Sequence, residues 1–267
     1  MPLKLRFSFT MGLLFASVIC AYADDFSIGQ PLKGDDYNKQ FVVDLGLGLS
    51  VKPAYPGANR YSVTPYLIAP VGRYYVPGFG QLREDRSEGL YIFPSVSAVS
   101  ARKPTDIPRL QGTKTVDWAA ELGLGVGYSL DEVNAFVQAR RGFFGHTGWV
   151  GRLGVDYTYW FNEGLALRFG PRLNLADNSY MDTYFSVGEQ EAASGPLPEF
   201  DAGAGVVSAG LFTTVSYGLT KKTRLHVQAG WDRYVGDAAR SPITKGNDVF
   251  SISTGLSYHF SFDFFEN

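Results

Sequence analysis

The chain repeatedly alternates apolar residues with polar or small ones at a period of two. The odd positions from Phe41 to Val51 are all apolar, and the residues between them include Asp44 and Ser50. The same alternation runs through the segments 118–128, 149–161, 165–175, 224–232 and 249–262. Because an apolar stripe on a helix repeats at about 3.6 residues, this pattern predicts β-strands.

The alternating segments are about 10–13 residues long, as strands that cross a bilayer at a tilt require, whereas strands of soluble proteins average about 5–6. Aromatic residues such as Trp149, Trp231 and Tyr258 lie near the segment ends, as in the aromatic girdles of membrane barrels. The polar faces carry charges at mid-strand, which the core of a soluble β-sandwich would not accept unpaired. A soluble sandwich is the alternative, and we expect an all-β, transmembrane antiparallel β-barrel.

The number of strands follows from counting the alternating segments. Further strands are predicted at Tyr61–Val71, Arg73–Leu82, Leu90–Val99, Val133–Phe143 and Val207–Tyr217. This makes eleven, whereas bacterial barrels normally have an even number, so Tyr180–Val187 is taken as a twelfth strand. We therefore predict about twelve strands, with ten as the alternative. Twelve strands would place the long polar stretch Arg102–Lys114 on the periplasmic side.

The first residues have the layout of a secretory signal peptide. Lys4 and Arg6 precede a mainly apolar run from Phe7 to Ile19, and Ala21-Tyr22-Ala23 provides small residues before a cut. The run is too short to cross a bilayer as a helix. We expect residues 1–23 to be removed, leaving one barrel domain at 24–267. Cys20 is the only cysteine, so the exported chain would contain neither disulfides nor cysteine-bound metals.

The composition agrees with a membrane barrel and excludes other classes. The chain has 31 Gly, 20 Phe and 16 Tyr, and its net charge of −2 provides no basic stripe for nucleic acid. His146, His226 and His259 are scattered, without the spacing of metal ligands. His226 and His259 fall on inward faces, so a lipid-facing Ser–His hydrolase site is not expected. We expect no enzyme activity and no cofactor or metal.

Charged residues of both signs share the inward face of the predicted strands. One interpretation is a ladder that selects small ions or solutes; the other is a network of ion pairs that fills a narrow lumen. Because both signs occur in similar number, we favour the network. Its predicted members are Asp117, Glu121, Arg140, Arg152, Asp156, Arg168, Arg172, Arg224 and Asp232.

The segment Gly236–Ile243 is the most distinctive local motif. Asp237 suits a hydrogen bond to the following backbone, and Ser241-Pro242 favours an extended turn. One interpretation is a well-folded external loop; the other is a contact site for a partner or for lipopolysaccharide phosphates, formed by Arg233, Asp237, Arg240 and Ser241. Arg141 and Arg233 interrupt apolar faces near strand ends, where long side chains reach the interface.

Four motifs resemble one known family over nearly all of the exported chain. They are Pro53-Ala54-Tyr55-Pro56-Gly57-Ala58, Tyr184-Phe185-Ser186-Val187, Gly236-Asp237-Ala238-Ala239-Arg240-Ser241-Pro242-Ile243 and Gly255-Leu256-Ser257-Tyr258-His259-Phe260. They are similar to motifs of the MipA/OmpV outer-membrane family, although Ser186 replaces a glycine of the family pattern. Members of the family tend to end at the aromatic residue matching Phe260, whereas this chain continues through Ser261–Asn267. The closing-strand residues Tyr258 and Phe260 are therefore expected to direct membrane assembly, with Phe265 as the alternative.

The resemblance implies a scaffold in the outer membrane of a Gram-negative cell. The family is named for the MltA-interacting protein, which is thought to hold a murein lytic transglycosylase beside a murein synthase; other members are linked with osmotic adaptation and surface contact. No catalytic residue carries over. The expected partners are outer-membrane lipids, lipopolysaccharide and those murein enzymes. A narrow passive pore is the alternative function, and an outer-membrane hydrolase is a third.

Overall fold

The computed structural model describes residues 22–23, 28, 33–68, 74–76, 80–83 and 89–264. Of the predicted signal peptide, the described residues include only Tyr22 and Ala23. Phe265 lies outside the described residues. Its cleavage therefore stays a prediction.

The alternating segments form ten long antiparallel strands. The strands of the described chain are β1 (Tyr22–Ala23), β2 (Phe41–Pro53), β3 (Tyr61–Ile68), β4 (Tyr74–Val76), β5 (Gly80–Arg83), β6 (Gly89–Val99), β7 (Ala119–Leu130), β8 (Val133–Phe144), β9 (Trp149–Asn162), β10 (Leu165–Ala176), β11 (Gly205–Gly218), β12 (Thr223–Tyr234) and β13 (Asp248–Phe262). The helices are α1 (Asn178–Phe185), α2 (Glu189–Ser194) and α3 (Gly236–Arg240). No helix in the described ranges has the length and hydropathy to cross a membrane.

One curled sheet contains every long strand, in the order β1-β3-β2-β13-β12-β11-β10-β9-β8-β7-β6. The last long strand pairs with the first, so that Phe262 lies opposite Phe41 and His259 opposite Asp44. β1, which lies within the predicted signal peptide, pairs in parallel with β3 and also contacts β6 at the other edge of the sheet. The predicted strand Arg73–Leu82 instead forms the small hairpin β4–β5, outside this sheet.

The polarity of the two faces of the sheet is the reverse of that in a soluble protein: apolar side chains point outwards and polar side chains point inwards. Leu47 and Leu124 on the outer face are 65% and 64% exposed, whereas Glu121 on the inner face is 3% exposed. Inside, Phe93 lies over Gly125 and Tyr91 over Gly127, where a Cβ atom would come within 2.1 and 2.3 Å of the rings. An apolar outside around a polar inside is the arrangement that a transmembrane barrel requires.

The predicted twelfth strand, Tyr180–Val187, is wrong, because most of it belongs to α1. The side chain of Asp177 accepts a hydrogen bond from the Tyr180 N–H at 2.9 Å and caps the helix. Met181, Tyr184 and Phe185 then lie on one buried face at helical spacing. Ten long strands, the alternative, are what the described residues contain.

This correction places the long connections at one end of the barrel. The segments 54–60, 100–118, 145–148, 177–204 and 235–247 all lie at what we call the loop end. The short turns 131–132, 163–164 and 219–222 lie at the opposite, turn end, with residues 33–40 and Asp263. The twelve-strand expectation for Arg102–Lys114 is therefore also wrong: this stretch lies among the other long loops.

The outward face of β7 predicts how the loss of stability caused by a charge depends on its depth in the bilayer. Leu124→Arg should destabilise the folded barrel in liposomes by about 2–4 kcal/mol, because Leu124 is an outward residue at mid-strand. Leu130→Arg, on the same strand and face but at its end, should cost about 0–1 kcal/mol. Denaturant titration of both variants measures the difference, and equal costs would contradict the assigned face and depth.

Candidate functional site

Two buried ion pairs occupy the lumen. Arg140 of β8 donates from Nε to Glu121 of β7 at 2.9 Å and from Nη1 to the Ser95 hydroxyl at 3.2 Å. Arg172 of β10 donates to Asp156 of β9 at 2.5 Å. All four charged side chains are less than 10% exposed. Since an unpaired charge is costly away from water, each partner compensates the charge of the other.

A polar cluster continues the lumen towards β11 and β12. The Nε of Arg152 donates to the side-chain amide oxygen Oδ1 of Asn174 at 2.8 Å. The Asn174 amide donates in turn to Ser208 at 2.8 Å and to Asp232 at 3.2 Å, and the Ser208 hydroxyl also reaches Asp232. The Asn174 side chain thus links Arg152 to Asp232.

Arg168 and Arg224 lie nearer the turn end and bind uncharged groups. Arg168 donates to the Thr158 hydroxyl at 3.0 Å. Arg224 donates to the backbone carbonyls of Ser216 and Glu163, and its guanidinium lies 5.4 Å from the ring centre of Trp160. The lumen therefore holds its arginines by several kinds of contact.

Asp117 is the one predicted lumen charge that the structure places elsewhere. It has the inward parity, but β7 begins only at Ala119, and Asp117 is exposed in the preceding loop. Strand parity has no meaning before the strand begins, so the prediction for Asp117 is wrong.

Two histidines form hydrogen bonds with other side chains inside the lumen. His226 accepts or donates through both ring nitrogens, to Ser216 and Ser257, each at 2.8 Å. His259 lies 2.6 Å from Asp44 and 3.3 Å from Asp36 of the short turn Gly34–Asn38. These contacts cross-link strands and fasten the turn to the lumen. The described residues contain no cluster of His, Cys, Asp and Glu that could hold a metal ion.

The loops of the loop end fold together into one structure, which we call the cap. Met181, Tyr184 and Phe185 of α1 pack with rim residues of the barrel such as Val150 and Val207. A second apolar cluster joins four of the loops through Tyr55, Ala58, Leu110, Val187, Leu197 and Ile243. α1 therefore packs across the mouth of the barrel.

Two arginines fasten the cap, and the sequence analysis did not identify either. Arg102, only 1% exposed, donates to the carbonyls of Tyr184 at 2.8 Å and Thr183 at 3.2 Å, at the end of α1. Arg109 donates to the carbonyls of Pro242, Ile243 and Thr244 in the loop that follows α3. Both arginines come from one irregular loop, where no periodicity could mark them.

His146 joins the cap to the ion pairs below it. Its Nε2 lies 3.3 Å from Glu121, and its ring contacts Tyr180 and Tyr184 edge-on, at 5.0 and 5.5 Å between centres. Burial raises the pKa of Tyr184 above its ordinary value, so the phenol stays neutral. A cavity of about 240 Å³ lies beside this junction, lined by Glu121, Arg140 and Arg152.

The distinctive loop 236–243 is largely an internal part of the cap. Ser241 is buried and donates to the Phe185 carbonyl, so the prediction that it contacts an external ligand is wrong. Asp237 accepts from the Gly203 N–H at 2.9 Å and pairs with Arg240. These two contacts, the Gly203 hydrogen bond first, hold the pKa of Asp237 below its ordinary value. Arg233 and Arg240 are exposed, and their external contacts stay a prediction.

A curled antiparallel sheet with an apolar outside, a polar lumen and long loops at one end is an outer-membrane β-barrel. The chain belongs to the MipA family: the profile described as MltA-interacting protein MipA matches residues 45–260. No curated protein matches the chain.

Solved barrels resemble the chain only distantly. An outer-membrane channel of Pseudomonas putida F1 is 12% identical, with 89% of this chain and 98% of that chain covered and a TM-score of 0.42. The N-terminal barrel domain of Pseudomonas aeruginosa OprF is 9% identical, with 81% and 97% covered and a TM-score of 0.30. The barrel assignment therefore rests on the strand pairing and burial in this chain.

The buried position of Arg102 predicts that it holds the cap closed. Arg102→Met leaves the carbonyls of Thr183 and Tyr184 without their donor, at about 1–3 kcal/mol for each unsatisfied group. Externally added protease should then cut the segment 177–204 faster, while heat-modifiable migration of the barrel is unchanged. Lys103→Met, at the exposed neighbouring position, is the control. Equal cleavage of the two variants would contradict the role of Arg102.

Proposed function

We propose that this chain is a non-enzymatic scaffold of the outer membrane, which holds a murein lytic transglycosylase and a murein synthase at its turn end. The observation that carries the proposal is the closed form of the barrel. The cap packs across one mouth, and the lumen is occupied by ion pairs such as Glu121–Arg140. Such a barrel offers surfaces to partners rather than a pathway for solutes. The family description, an MltA-interacting protein, supports a murein enzyme as the partner.

The orientation of the barrel selects the surface. In bacterial barrels short turns face the periplasm and long loops face outwards. The turn end is therefore the side next to murein. Among the described residues, its surface exposes large apolar side chains: Tyr37 is 56% exposed, Leu219 50% and Phe264 74%. Aromatic side chains such as tyrosine are among the groups that most often anchor a protein partner.

The lumen also argues for a non-enzymatic role. A nucleophilic serine needs a histidine oriented by a third group and a path for substrate. Both nitrogens of His226 are occupied by hydroxyls, Ser216 and Ser257, and the cluster is buried. Its hydrogen bonds serve to link β11, β12 and β13.

A narrow pore for small solutes is the second candidate, favoured by the polar cavity of about 240 Å³ below the cap. Conduction in this case would require the cap to move away from the barrel rim.

The scaffold proposal predicts that partner capture depends on the turn end. Replacing Tyr37 and Leu219 together by Ser should reduce co-purification of the transglycosylase from envelope extracts by roughly tenfold or more, as loss of interface anchors does. Phe144→Ala, which removes an aromatic side chain that is 72% exposed at the loop end of β8, is the control and should retain capture. Heat-modifiable migration confirms that each variant is folded. If the turn-end variant captured as much enzyme as the wild type, or if neither protein captured any, the proposal would fail.

A further inference from the structure

An apolar groove of about 360 Å³ lies on the outer, lipid-facing surface of β10–β13. The strand register arranges its outward residues in rows. One row runs Phe169, Thr213, Ala229 and Ile252; the next, nearer the loop end, runs Pro171, Leu211, Trp231 and Phe250. The groove forms because Thr213 and Ala229 are small and the side chains around them are large.

A third row, above these two, lies at the rim of the barrel. It contains Leu173, Ala209, Arg233 and Asp248. Two residues of a strand span about 7 Å, so Arg233 stands about 7 Å above Trp231 on the same outward face. The apolar groove therefore has a cationic side chain directly above it, at the level where lipid headgroups meet a barrel.

Arg233 retains hydrogen-bonding capacity for a ligand. Its Nη1 donates to both carboxylate oxygens of Asp248 at 3.1 Å. Within the described part of the chain its Nε and Nη2 have no acceptor, and the side chain is 56% exposed. The Trp231 indole N–H also donates to Asp248, at 3.1 Å. Asp248 thus engages Nη1 of Arg233, while Nε and Nη2 of Arg233 have no acceptor among the described residues.

We propose that this groove is a specific site for lipopolysaccharide, with one acyl chain between Leu211, Trp231 and Phe250 and a lipid A phosphate on Arg233. The loop end faces outwards, which puts the groove in the outer half of the bilayer, where lipopolysaccharide is the phosphorylated lipid. A guanidinium donates paired hydrogen bonds to phosphate oxygens, whereas the groove alone would accept any acyl chain. The site is independent of the murein scaffold, because it lies on the wall of the barrel and not at the turn end.

Native mass spectrometry of the detergent-purified protein with bisphosphorylated lipid A tests the site. The wild type should retain one tightly bound copy. Thr213→Leu with Ala229→Leu fills the groove and should weaken retention by roughly tenfold or more, since excluding a few methylenes from contact suffices for that factor. Ala139→Leu is the matched control, because Ala139 is an outward alanine on β8. Equal retention by the filled-groove variant and this control would overturn the proposal.

The phosphate contact is tested separately. Arg233→Gln should weaken retention of bisphosphorylated lipid A by roughly fivefold or more but leave dephosphorylated lipid A unchanged, because only the charge-assisted bonds are lost. Arg141→Gln, at an exposed outward arginine of β8, should have no effect. If phosphatidylglycerol or dephosphorylated lipid A bound the wild type as tightly as the bisphosphorylated form, lipopolysaccharide would not be the specific occupant.

Fluorescence keeps the test decisive if the filled-groove variant fails to fold. A phospholipid with brominated acyl chains should quench the emission of Trp231, obtained as the difference between the wild type and Trp231→Phe. Added lipid A should displace the brominated chain and restore this emission. Quenching that lipid A does not relieve would overturn the proposal.

Discussion

The register between β13 and β2 is the constraint on which the rest of the structure depends. It joins the last long strand to the first and satisfies backbone groups that hydrocarbon would leave unpaired at several kcal/mol each. Side chains alternate strictly, so a slip of one residue would turn the inward charge of the slipped strand, Asp44 on β2 or His259 on β13, towards lipid. The hydrogen bond of 2.6 Å between these two side chains fixes the register from inside the lumen.

Once the register is set, the inward face must satisfy every charge that the strands carry. Glu121 with Arg140 and Asp156 with Arg172 do so as pairs, while Arg152 and Arg224 use amide and carbonyl oxygens. The cap builds on this lumen, because His146 joins Glu121 to the tyrosines of α1. The mouth is thus closed for two reasons. The polar groups of the lumen and the cap bind each other, and the apolar face of α1 is buried against the rim.

The sequence was sufficient for the ten long strands and their facing, because period two is a local property. It located Glu121 and Arg172 in the lumen for that reason. It failed at Tyr180–Val187, whose apolar residues fit a strand or a helix, and where the capping residue Asp177 was the missed signal. It failed at Asp117, which lies before its strand begins. Arg102 and Arg109 lie in irregular loops and are defined only by tertiary contacts with α1 and the loop after α3.

The barrel is occluded, because ion pairs occupy the lumen and the cap covers its mouth. Single-channel recording of the wild-type protein in planar lipid bilayers tests this most directly, with a known open porin measured in parallel. Membranes that contain the folded, occluded protein should show no steady conductance above the background of protein-free membranes. A stable, ohmic conductance that appears in discrete steps as the protein inserts would contradict it.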